Sequence, residues 1–433
     1  MRFGKPDSTG LWRGVVRGAL ASTAVVTGLA LVGCGQSASH DPVDPGSHPS
    51  AKPSSSASSA DRESPSSTKS SAPAEPFKVT SNISDDATDV KINKLLKLNA
   101  FGGKLAKVKV TGTTIDHGAS KKVSVAGELN ADKTSWTASE RLEPNAEYTV
   151  KTVGDSTSGK TKTHKTNFST MALSLDDQIF PSFAGTMTGT VGVATPIVLQ
   201  FDLPVKNRAA FEKHLHVTST SGQKGSWHWY NDKEVHWRPA EYWKTGTKVT
   251  ATADLNSLPA GNGLYGQKNA SVHFTVGDSV ITKVNLKTHL AKVYVNGKKA
   301  RTIPISAGKP GDDTRSGTSV ITQKLTDYTM TSEMIGLPKT GPESYSLTAA
   351  YAMRITTSGE FLHSAPWNAG YFGKVNASHG CVGMTVADSA WLFKHARSGS
   401  PVTITGSKRS LDPLNGLTDW NVDFHTYAKG SAL

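Results

Sequence analysis

One short stretch of the chain holds three residues that could do chemistry, a cysteine and two histidines. The stretch HSAPWNAGYFGKVNASHGCVGM runs from His363 to Met384 and contains His379 and Cys381. A zinc site needs three or four ligands at characteristic spacings, and neither CxxC nor HExxH occurs here. A thiol beside an imidazole makes a nucleophile with its base, because the imidazole removes the proton and stabilises the thiolate. An inert buried cysteine is the commonest alternative.

The neighbours of Cys381 favour the nucleophile. Ser378, Gly380 and Gly383 are small and would let a substrate peptide approach the sulfur closely, which a core position does not require. The only other cysteine of the chain is Cys34, and an unpaired thiol is a liability in an exported protein unless it is used. We therefore expect a reactive thiol that is partly ionised near neutral pH.

Two histidines compete for the role of base. His379 lies two residues before Cys381, so the two side chains share a face if the backbone is extended and diverge in a tight turn. His363 is distant in sequence, and only the fold can bring it close. The residues alone leave both histidines open.

Export is predicted from the first residues of the chain. Four basic residues precede an apolar segment from Ala19 to Val32, the pattern of a secretory signal that is too short to span a membrane. Leu-Val-Gly-Cys34 then resembles the bacterial lipobox, whose cysteine is lipid-modified and becomes the new N-terminus. We expect residues 1–34 to be a lipoprotein signal peptide and Cys34 to anchor the protein to the outer face of a bacterial cell membrane. A plain signal peptide with a chance cysteine is the alternative.

The next segment is predicted to be a tether. Residues 35–76 are rich in Ser, Pro and Ala and cannot bury enough apolar surface to fold. The net charge of +13 adds attraction to anionic surfaces. No zinc-finger spacing, phosphate-cradling loop or basic recognition helix accompanies that charge, so we do not expect nucleic-acid binding.

The folded part is predicted to be mainly β, because its apolar residues occur in short alternating runs such as AKVKVTG and EYTVKTV. Residues 77–172 and 173–277 look like one theme used twice, and we expect two immunoglobulin-like β-sandwich domains. One larger β domain is the alternative. The repeated spacing comprises Trp136, Leu142 and Tyr148 in the first block and Trp237, Trp243 and Val249 in the second.

Two further features of the folded part have structural interpretations. The aromatic residues between Trp227 and Trp243 could form a carbohydrate platform, but core packing is the interpretation we favour. In the third block, residues 278–406, VYVNGKKARTIPIS predicts a hairpin with a type I′ turn at Asn296-Gly297.

The reactive stretch carries a family resemblance. SHGCVGM with the upstream FLHSAPW resembles the active-site signature of the L,D-transpeptidases, cysteine enzymes of bacterial peptidoglycan. The lipobox, the tether, two immunoglobulin-like domains and a C-terminal catalytic domain resemble actinobacterial members, and GLTDWNVDF resembles their C-terminal subdomain, here residues 407–433 packing on the catalytic domain. Seven residues match the signature: His363, Ser364, Trp367, Ser378, His379, Gly380 and Cys381.

The resemblance implies a role for each of these residues. Cys381 would be the nucleophile and His363 its base, held through the backbone carbonyl of Ser364. His379 would support the site. The peptide N–H groups of Gly380 and Cys381 would help to form the oxyanion hole.

The resemblance also implies a substrate pocket. Tyr345 and Met330 would lie on a flap from Thr326 to Tyr345, poor in regular structure, while Trp367 and Asn368 would lie on the open side that receives the acceptor. Ser378 would contact the substrate as well. The sequence departs from the family pattern at Gly383, at Ile335 and in the turn TRSG from Thr314 to Gly317, which puts details of substrate binding in doubt.

The implied reaction is acyl transfer without metal or organic cofactor. The cysteine attacks the third residue of a peptidoglycan tetrapeptide stem and expels D-Ala, and the side-chain amine of a neighbouring stem then takes the acyl group to form a 3-3 cross-link in the cell wall. Carbapenems and other β-lactams are implied as inhibitors. An L,D-carboxypeptidase, a transferase that fastens proteins to the wall, and a non-catalytic wall-binding lipoprotein are the alternatives.

Overall fold

The computed structural model describes residues 76–433 except residues 117, 186 and 343. The predicted signal sequence with Cys34, and the predicted tether before residue 76, lie outside the described residues. Within the described part, no helix is both long enough and apolar enough to cross a membrane.

The first β-sandwich packs two sheets with strand orders β1-β3-β7-β6 and β2-β9-β8-β4-β5. Apolar side chains from both sheets form one core, which includes Trp136, Leu142 and Tyr148. The strands are β1 (Lys78–Ser81), β2 (Ala87–Val90), β3 (Lys97–Phe101), β4 (Gly103–Asp116), β5 (Ala119–Val125), β6 (Gly127–Leu129), β7 (Ser135–Ala138), β8 (Ala146–Ser156) and β9 (Thr161–Thr170).

The second β-sandwich has the corresponding sheets β11-β13-β16-β15 and β12-β20-β17-β14, with a small third sheet β10-β19-β18. A 3₁₀ helix, Leu175–Asp177, precedes it, and a short helix α1, Arg208–Glu212, lies within it. The strands are β10 (Gln178–Ile179), β11 (Pro181–Phe183), β12 (Gly189–Val191), β13 (Ile197–Phe201), β14 (Leu215–Ser219), β15 (Gly225–Asn231), β16 (Glu234–Pro239), β17 (Lys248–Ala253), β18 (Pro259–Gly261), β19 (Leu264–Gly266) and β20 (Ala270–Val276).

The repeated tryptophan spacing is a repeat of structure. Trp136 on β7 and Trp237 on β16 occupy the third strand of equivalent sheets. A glycine on the next strand leaves room for each indole: a Cβ atom at Gly127 would lie 2.2 Å from the Trp136 ring, and one at Gly225 would lie 2.4 Å from the Trp237 ring. All six residues of the repeat are buried, and so are Trp227 and Trp229, so the prediction that this aromatic cluster is mainly core is confirmed.

The third block folds into a five-stranded sheet, β23-β22-β21-β29-β24, and a four-stranded sheet, β25-β26-β27-β28. The predicted hairpin is present, because Asn296 and Gly297 adopt positive φ values of 47° and 80° between β22 and β23. The elements are β21 (Val280–Asn285), β22 (Leu290–Val295), β23 (Lys298–Pro304), β24 (Gly317–Val320), β25 (Gln323–Thr331), β26 (Ser346–Arg354), β27 (Phe361–Ser364), β28 (Val382–Met384), α2 (Val386–His395), β29 (Pro401–Thr405) and 3₁₀ helices Ser332–Ile335 and Pro366–Tyr371.

The C-terminal segment connects the second sandwich to the catalytic domain. It contains a 3₁₀ helix, Asp419–Asn421, and a helix α3, Phe424–Ala428. It was predicted to pack on the catalytic domain, and it does contact that domain through Asn421 Oδ1, which accepts from the Thr318 N–H at 3.0 Å. The prediction missed that the same segment also lies on the second sandwich. The physical reason is Arg238, a buried guanidinium that donates to the Val422 carbonyl and stacks against the rings of Trp420, Phe424 and Tyr427.

A buried charged group holds this junction together. His236 Nδ1 lies 2.8 Å from Asp419 Oδ1, and His236 Nε2 lies 2.8 Å from Glu234 Oε1. Burial alone would lower the pKa of His236, but the two carboxylates outweigh it and raise that pKa to about 9. His236 and Asp419 are both fully buried, so the imidazolium between two carboxylates links the second sandwich to the C-terminal segment.

The His236 group predicts a loss of stability at alkaline pH. Because the folded-state pKa is raised above the ordinary value of 6.5, the stabilisation is complete below about pH 6.5 and is lost as the pH rises through about 9. We expect His236→Gln to lower the melting temperature near neutral pH and to remove most of the alkaline fall seen in the wild type. His273→Gln, at an exposed position of the same sandwich, is the control and should follow the wild type. The measurement is the melting temperature of each protein as a function of pH. Profiles of the wild type and His236→Gln that differ only by a constant offset would contradict this account.

Candidate active site

The register of two parallel strands brings the cysteine and one histidine to the same face of a sheet. On β27 and β28, Leu362 pairs with Val382 and His363 pairs with Gly383. Alternate residues of a strand point to the same side, so Cys381, two residues before Gly383, lies on the face that His363 occupies. The register therefore favours His363 as the base, a choice that the residues alone left open.

His363 and Cys381 line a pocket of about 390 Å³. The pocket contains every predicted substrate-binding residue, namely Tyr345, Met330, Trp367, Ser378 and Asn368, together with His363, His379 and Cys381. Ser364 and Gly380 do not line it; they lie behind it and act through their backbones.

The tautomer of His363 is set by a backbone carbonyl. His363 Nδ1 lies 2.9 Å from the carbonyl oxygen of Ser364, and a carbonyl only accepts, so Nδ1 carries the hydrogen. Burial lowers the pKa of His363, and the bond to Ser364 only partly opposes that effect. The ring also stacks on Trp367 with centroids 5.9 Å apart. The arrangement therefore holds a neutral imidazole whose Nε2 is free to accept a proton.

The Cys381 thiol is protonated in the resting site. Its Sγ contacts the carbonyl oxygen of Gly359 at 3.6 Å, and burial raises its pKa to about 12. The nearby Glu360 carboxyl adds to this rise in pKa, whereas Arg354 opposes it. These surroundings oppose the partly ionised thiol that the sequence led us to expect, because a thiol shielded from water loses the solvation that would stabilise its charge.

A tight turn before the cysteine fixes the position of its backbone. The Ser378 hydroxyl donates to the Cys381 carbonyl at 2.6 Å and accepts from the Gly380 N–H at 3.2 Å. Gly380 has a φ of 121°, a conformation that side chains disfavour, and its carbonyl accepts from the buried Thr314 hydroxyl at 2.7 Å. Although Ser378 lines the pocket, its hydroxyl is used within this turn.

The backbone N–H groups of Gly380 and Cys381, the predicted oxyanion donors, differ in their hydrogen bonding. The Gly380 N–H already donates to the Ser378 hydroxyl, so it is occupied in this state. The Cys381 N–H has no acceptor among the described residues. The free donor next to the sulfur is therefore the N–H of Cys381 itself.

His379 contacts Tyr345 and Lys309. Its ring stacks on Tyr345 with centroids 5.3 Å apart and planes inclined by 17°, and Lys309 Nζ lies 3.2 Å from its Nε2. Burial raises the pKa of Tyr345 to about 12, so its hydroxyl is neutral at physiological pH. His379 and Tyr345 together form one wall of the pocket.

The flap is more regular than predicted. Strand β25 continues to Thr331 and places the largely buried Met330 against the pocket, and a 3₁₀ helix, Ser332–Ile335, follows. The prediction of irregular structure from Thr326 was wrong because β26 supplies a partner for every one of these backbone positions except Asp327, where φ is positive. Among the described residues of the flap, those beyond Ile335 lack helix or strand.

Several site residues were missed by reasoning from sequence. Thr314 and Lys309 belong to a loop far from the cysteine in sequence. The turn TRSG, which begins at Thr314, was noted only as a departure from the family pattern. Glu360 is buried and paired with Arg315 at 3.0 Å, and burial raises its pKa. An acid directly before the strand that carries His363 was the only available signal. No group of three or more potential metal ligands occurs in the described part of the chain.

Comparisons with known proteins agree with this architecture. Residues 87–259 match the bacterial Ig domain, and residues 279–404 match the L,D-transpeptidase catalytic domain. The fold is thus that of immunoglobulin-like sandwiches joined to a catalytic domain of the L,D-transpeptidase class.

Individual relatives carry the comparison further. L,D-transpeptidase 2 of Mycobacterium tuberculosis is 31% identical over 82% of this chain and 85% of its own length. L,D-transpeptidase 5 of the same species is 32% identical over 82% of this chain and 77% of its own length. Among solved structures, an L,D-transpeptidase in complex with imipenem is 32% identical with a TM-score of 0.45, covering 52% of this chain and 97% of that one. The chain belongs to the L,D-transpeptidase family, whose function is peptidoglycan cross-linking.

The neutral resting site predicts slow alkylation of Cys381. With the pKa of the thiol near 12, the rate with iodoacetamide at pH 7 should be below that of a free cysteine and should keep rising with pH. The measurement is the alkylation rate of Cys381 from pH 6 to 10, with the urea-unfolded protein as the matched control for an unperturbed thiol. A rate that reaches a plateau below pH 7 in the folded protein would show a preformed ion pair instead.

Proposed function

We propose that this protein forms cross-links by acyl transfer through Cys381, with His363 as general base. The observation that carries the proposal is the β27–β28 register, because it puts the only described thiol and a neutral imidazole on one face of a pocket. A peptide carbonyl bound in this pocket would lie beside the sulfur, the base and a free backbone N–H.

The first step acylates the enzyme. His363 Nε2 accepts the thiol proton as the sulfur attacks the carbonyl of the third stem residue, so that no free thiolate is needed beforehand. The Ser364 carbonyl favours the imidazolium that forms, since it accepts the Nδ1 hydrogen. The imidazolium then protonates the leaving amine, the carbon–nitrogen bond breaks, and D-Ala departs from the thioester.

The developing oxyanion would be stabilised by the Cys381 N–H. This donor lies on the turn that Ser378 and Thr314 hold rigid, so it would not need to reorganise during the reaction. The Gly380 N–H could join it only if its bond to the Ser378 hydroxyl, 3.2 Å long, were given up. The proposal therefore assigns one oxyanion donor to the resting structure.

The second step transfers the acyl group to an amine. The side-chain amine of a neighbouring stem attacks the thioester carbonyl, His363 takes the amine proton, and the thiol is regenerated. Its approach would be on the side of Trp367 and Asn368, where Trp367 is partly exposed. Binding of the acceptor in place is what lets an amine outcompete water.

Water as acceptor is the principal alternative outcome. The apolar wall made by Met330, Tyr345 and Leu347 favours exclusion of water from the thioester, which supports transpeptidation over L,D-carboxypeptidase activity. A protein amine could also act as acceptor, which would make the enzyme a wall-anchoring transferase. β-Lactams, carbapenems included, would acylate the same thiol, because they present a strained carbonyl to the same nucleophile.

Product analysis with a disaccharide tetrapeptide separates these outcomes. The wild type should give a dimer whose mass is that of two stems less one D-Ala, with tripeptide as the minor product. Cys381→Ser and His363→Ala should lose at least 10²-fold in rate, roughly the share of a nucleophile or a general base. His379→Ala is the matched control, since its ring contacts Tyr345 rather than the thiol, and should lose less. Tripeptide alone would indicate a carboxypeptidase, and no turnover would favour a wall-binding role.

We also propose that Cys34 is lipidated and holds the enzyme at the outer face of the cell membrane. This rests on the lipobox-like residues before Cys34. Cys34→Ala should leave the membrane fraction without losing catalytic activity. Release of the wild type by salt alone would contradict the lipid anchor.

A further inference from the structure

Arg354 is the only Lys, Arg, Asp or Glu among the described residues that line the pocket. The remaining lining is apolar, aromatic or neutral polar apart from two histidines. Arg354 is partly buried, and its permanent guanidinium charge would be stabilised by a counter-charge within the pocket. The question is which group supplies it.

The described residues of the protein do not supply that counter-charge in an ion pair. Arg354 Nη2 donates to the Tyr328 hydroxyl at 3.3 Å and Nε donates to Gln323 Oε1 at 3.4 Å, both of which are neutral acceptors. Its guanidinium carbon lies 4.4 Å from the centroid of the Phe361 ring. No carboxylate of the described residues forms an ion pair with it. Arg301, which stacks on Trp391 in the same way, is paired with Asp388 at 3.0 Å.

The sheet places this unpaired cation near the reacting centre, with strand β27 between Arg354 and Cys381. Arg354 on β26 pairs with Phe361 on β27, and the β27–β28 register puts Cys381 on the other side of Phe361. Two strand spacings separate the backbones of Arg354 and Cys381 by roughly 10 Å. The guanidinium lies over the ring of Phe361, the residue of β27 that stands between the two backbones.

The free carboxylate of the donor stem fits the space between Cys381 and Arg354. The leaving residue carries a free carboxylate separated from the attacked carbonyl carbon by two atoms, a distance of roughly 4 Å. With the carbonyl at the sulfur and the leaving residue directed along the sheet towards β26, that carboxylate would lie between Cys381 and Arg354. A planar guanidinium with several donors is the side chain best suited to bind a carboxylate in two-pronged fashion.

We propose that Arg354 binds the C-terminal carboxylate of the donor stem peptide and so selects donors whose last residue ends in a free acid. This rests on the proposed acyl transfer through Cys381. Phe361 and Tyr328 hold the guanidinium in place before the substrate arrives. The acceptor stem reacts through an amine and does not need this contact.

The test compares two donors, a stem tetrapeptide ending in D-Ala and the same peptide ending in D-alaninamide, at saturating acceptor. The purified full chain should prefer the free acid in kcat/KM by about 10- to 100-fold, the range expected for hydrogen bonds to a charged group. Arg354→Gln should lose that factor for the acid, keep the rate for the amide and show a ratio near 1. Arg354→Lys keeps the positive charge but lacks the planar guanidinium that binds a carboxylate through two donors. It should retain a several-fold preference for the acid.

Controls keep the result interpretable. Arg301→Gln removes an arginine that also stacks on an aromatic ring but does not line the pocket, and it should retain the full preference for the acid. Since the ratio of two substrates is measured in one variant, partial misfolding of Arg354→Gln cannot change it. An unchanged ratio in Arg354→Gln would overturn the proposal. Loss of turnover of both donors in the wild type would overturn the proposed function and this proposal with it.

Discussion

The catalytic domain depends on the parallel pairing of two short strands, β27 and β28. Each contributes few backbone hydrogen bonds, and the pairing alone determines that the thiol of Cys381 and the ring of His363 share a face. A shift of one residue in that register would turn Cys381 to the opposite side, since side chains alternate along a strand. The Ser378 and Thr314 hydroxyls protect the register, because they fix the turn that enters β28.

The same apolar surroundings that hold these strands set the protonation state of the site. Burial lowers the pKa of His363 and raises that of Cys381, so the resting pair is neutral and the charge separates only as the thiol attacks. An uncharged thiol is less prone to adventitious alkylation and oxidation, because the thiolate is the reactive form. In the proposed mechanism, the Ser364 carbonyl and the Cys381 N–H stabilise the separated charges at the moment of reaction.

Outside the catalytic domain, a second buried charge group governs how the parts are joined. The C-terminal segment inserts Asp419 beside His236 and lays its aromatic rings on Arg238, and it also hydrogen-bonds to the catalytic sheet through Asn421. This segment therefore limits movement of the catalytic domain relative to the second sandwich. A fixed position of the catalytic domain relative to the second sandwich would suit an enzyme that must reach a polymer at a set distance.

The sequence predicted those features that local patterns encode. Asn296-Gly297 predicted its hairpin because these two residues readily adopt positive φ. The spacing repeated after Trp136 and Trp237 predicted two sandwiches because the same pattern of apolar residues occurs twice. The glycine opposite each indole appears only in the structure. Long-range features could not be read in this way.

The choice of His363 over His379 depends on strand pairing, and the protonation state of Cys381 depends on burial that no local pattern reports. Arg354 is one arginine among many in the sequence, and its significance appears only when the residues around it are found to lack a carboxylate. The position of the C-terminal segment depends likewise on Arg238, almost two hundred residues earlier in the chain.

The central claim, that Cys381 carries the acyl group, is tested most directly by trapping the intermediate. The wild-type protein is mixed with a tetrapeptide stem whose amines are blocked, quenched in acid within the first turnover and analysed by intact mass and peptide mapping. We expect an adduct equal to the stem less its terminal residue, located on Cys381. Release of the terminal residue with no adduct on Cys381, or with an adduct on another side chain, would contradict the account.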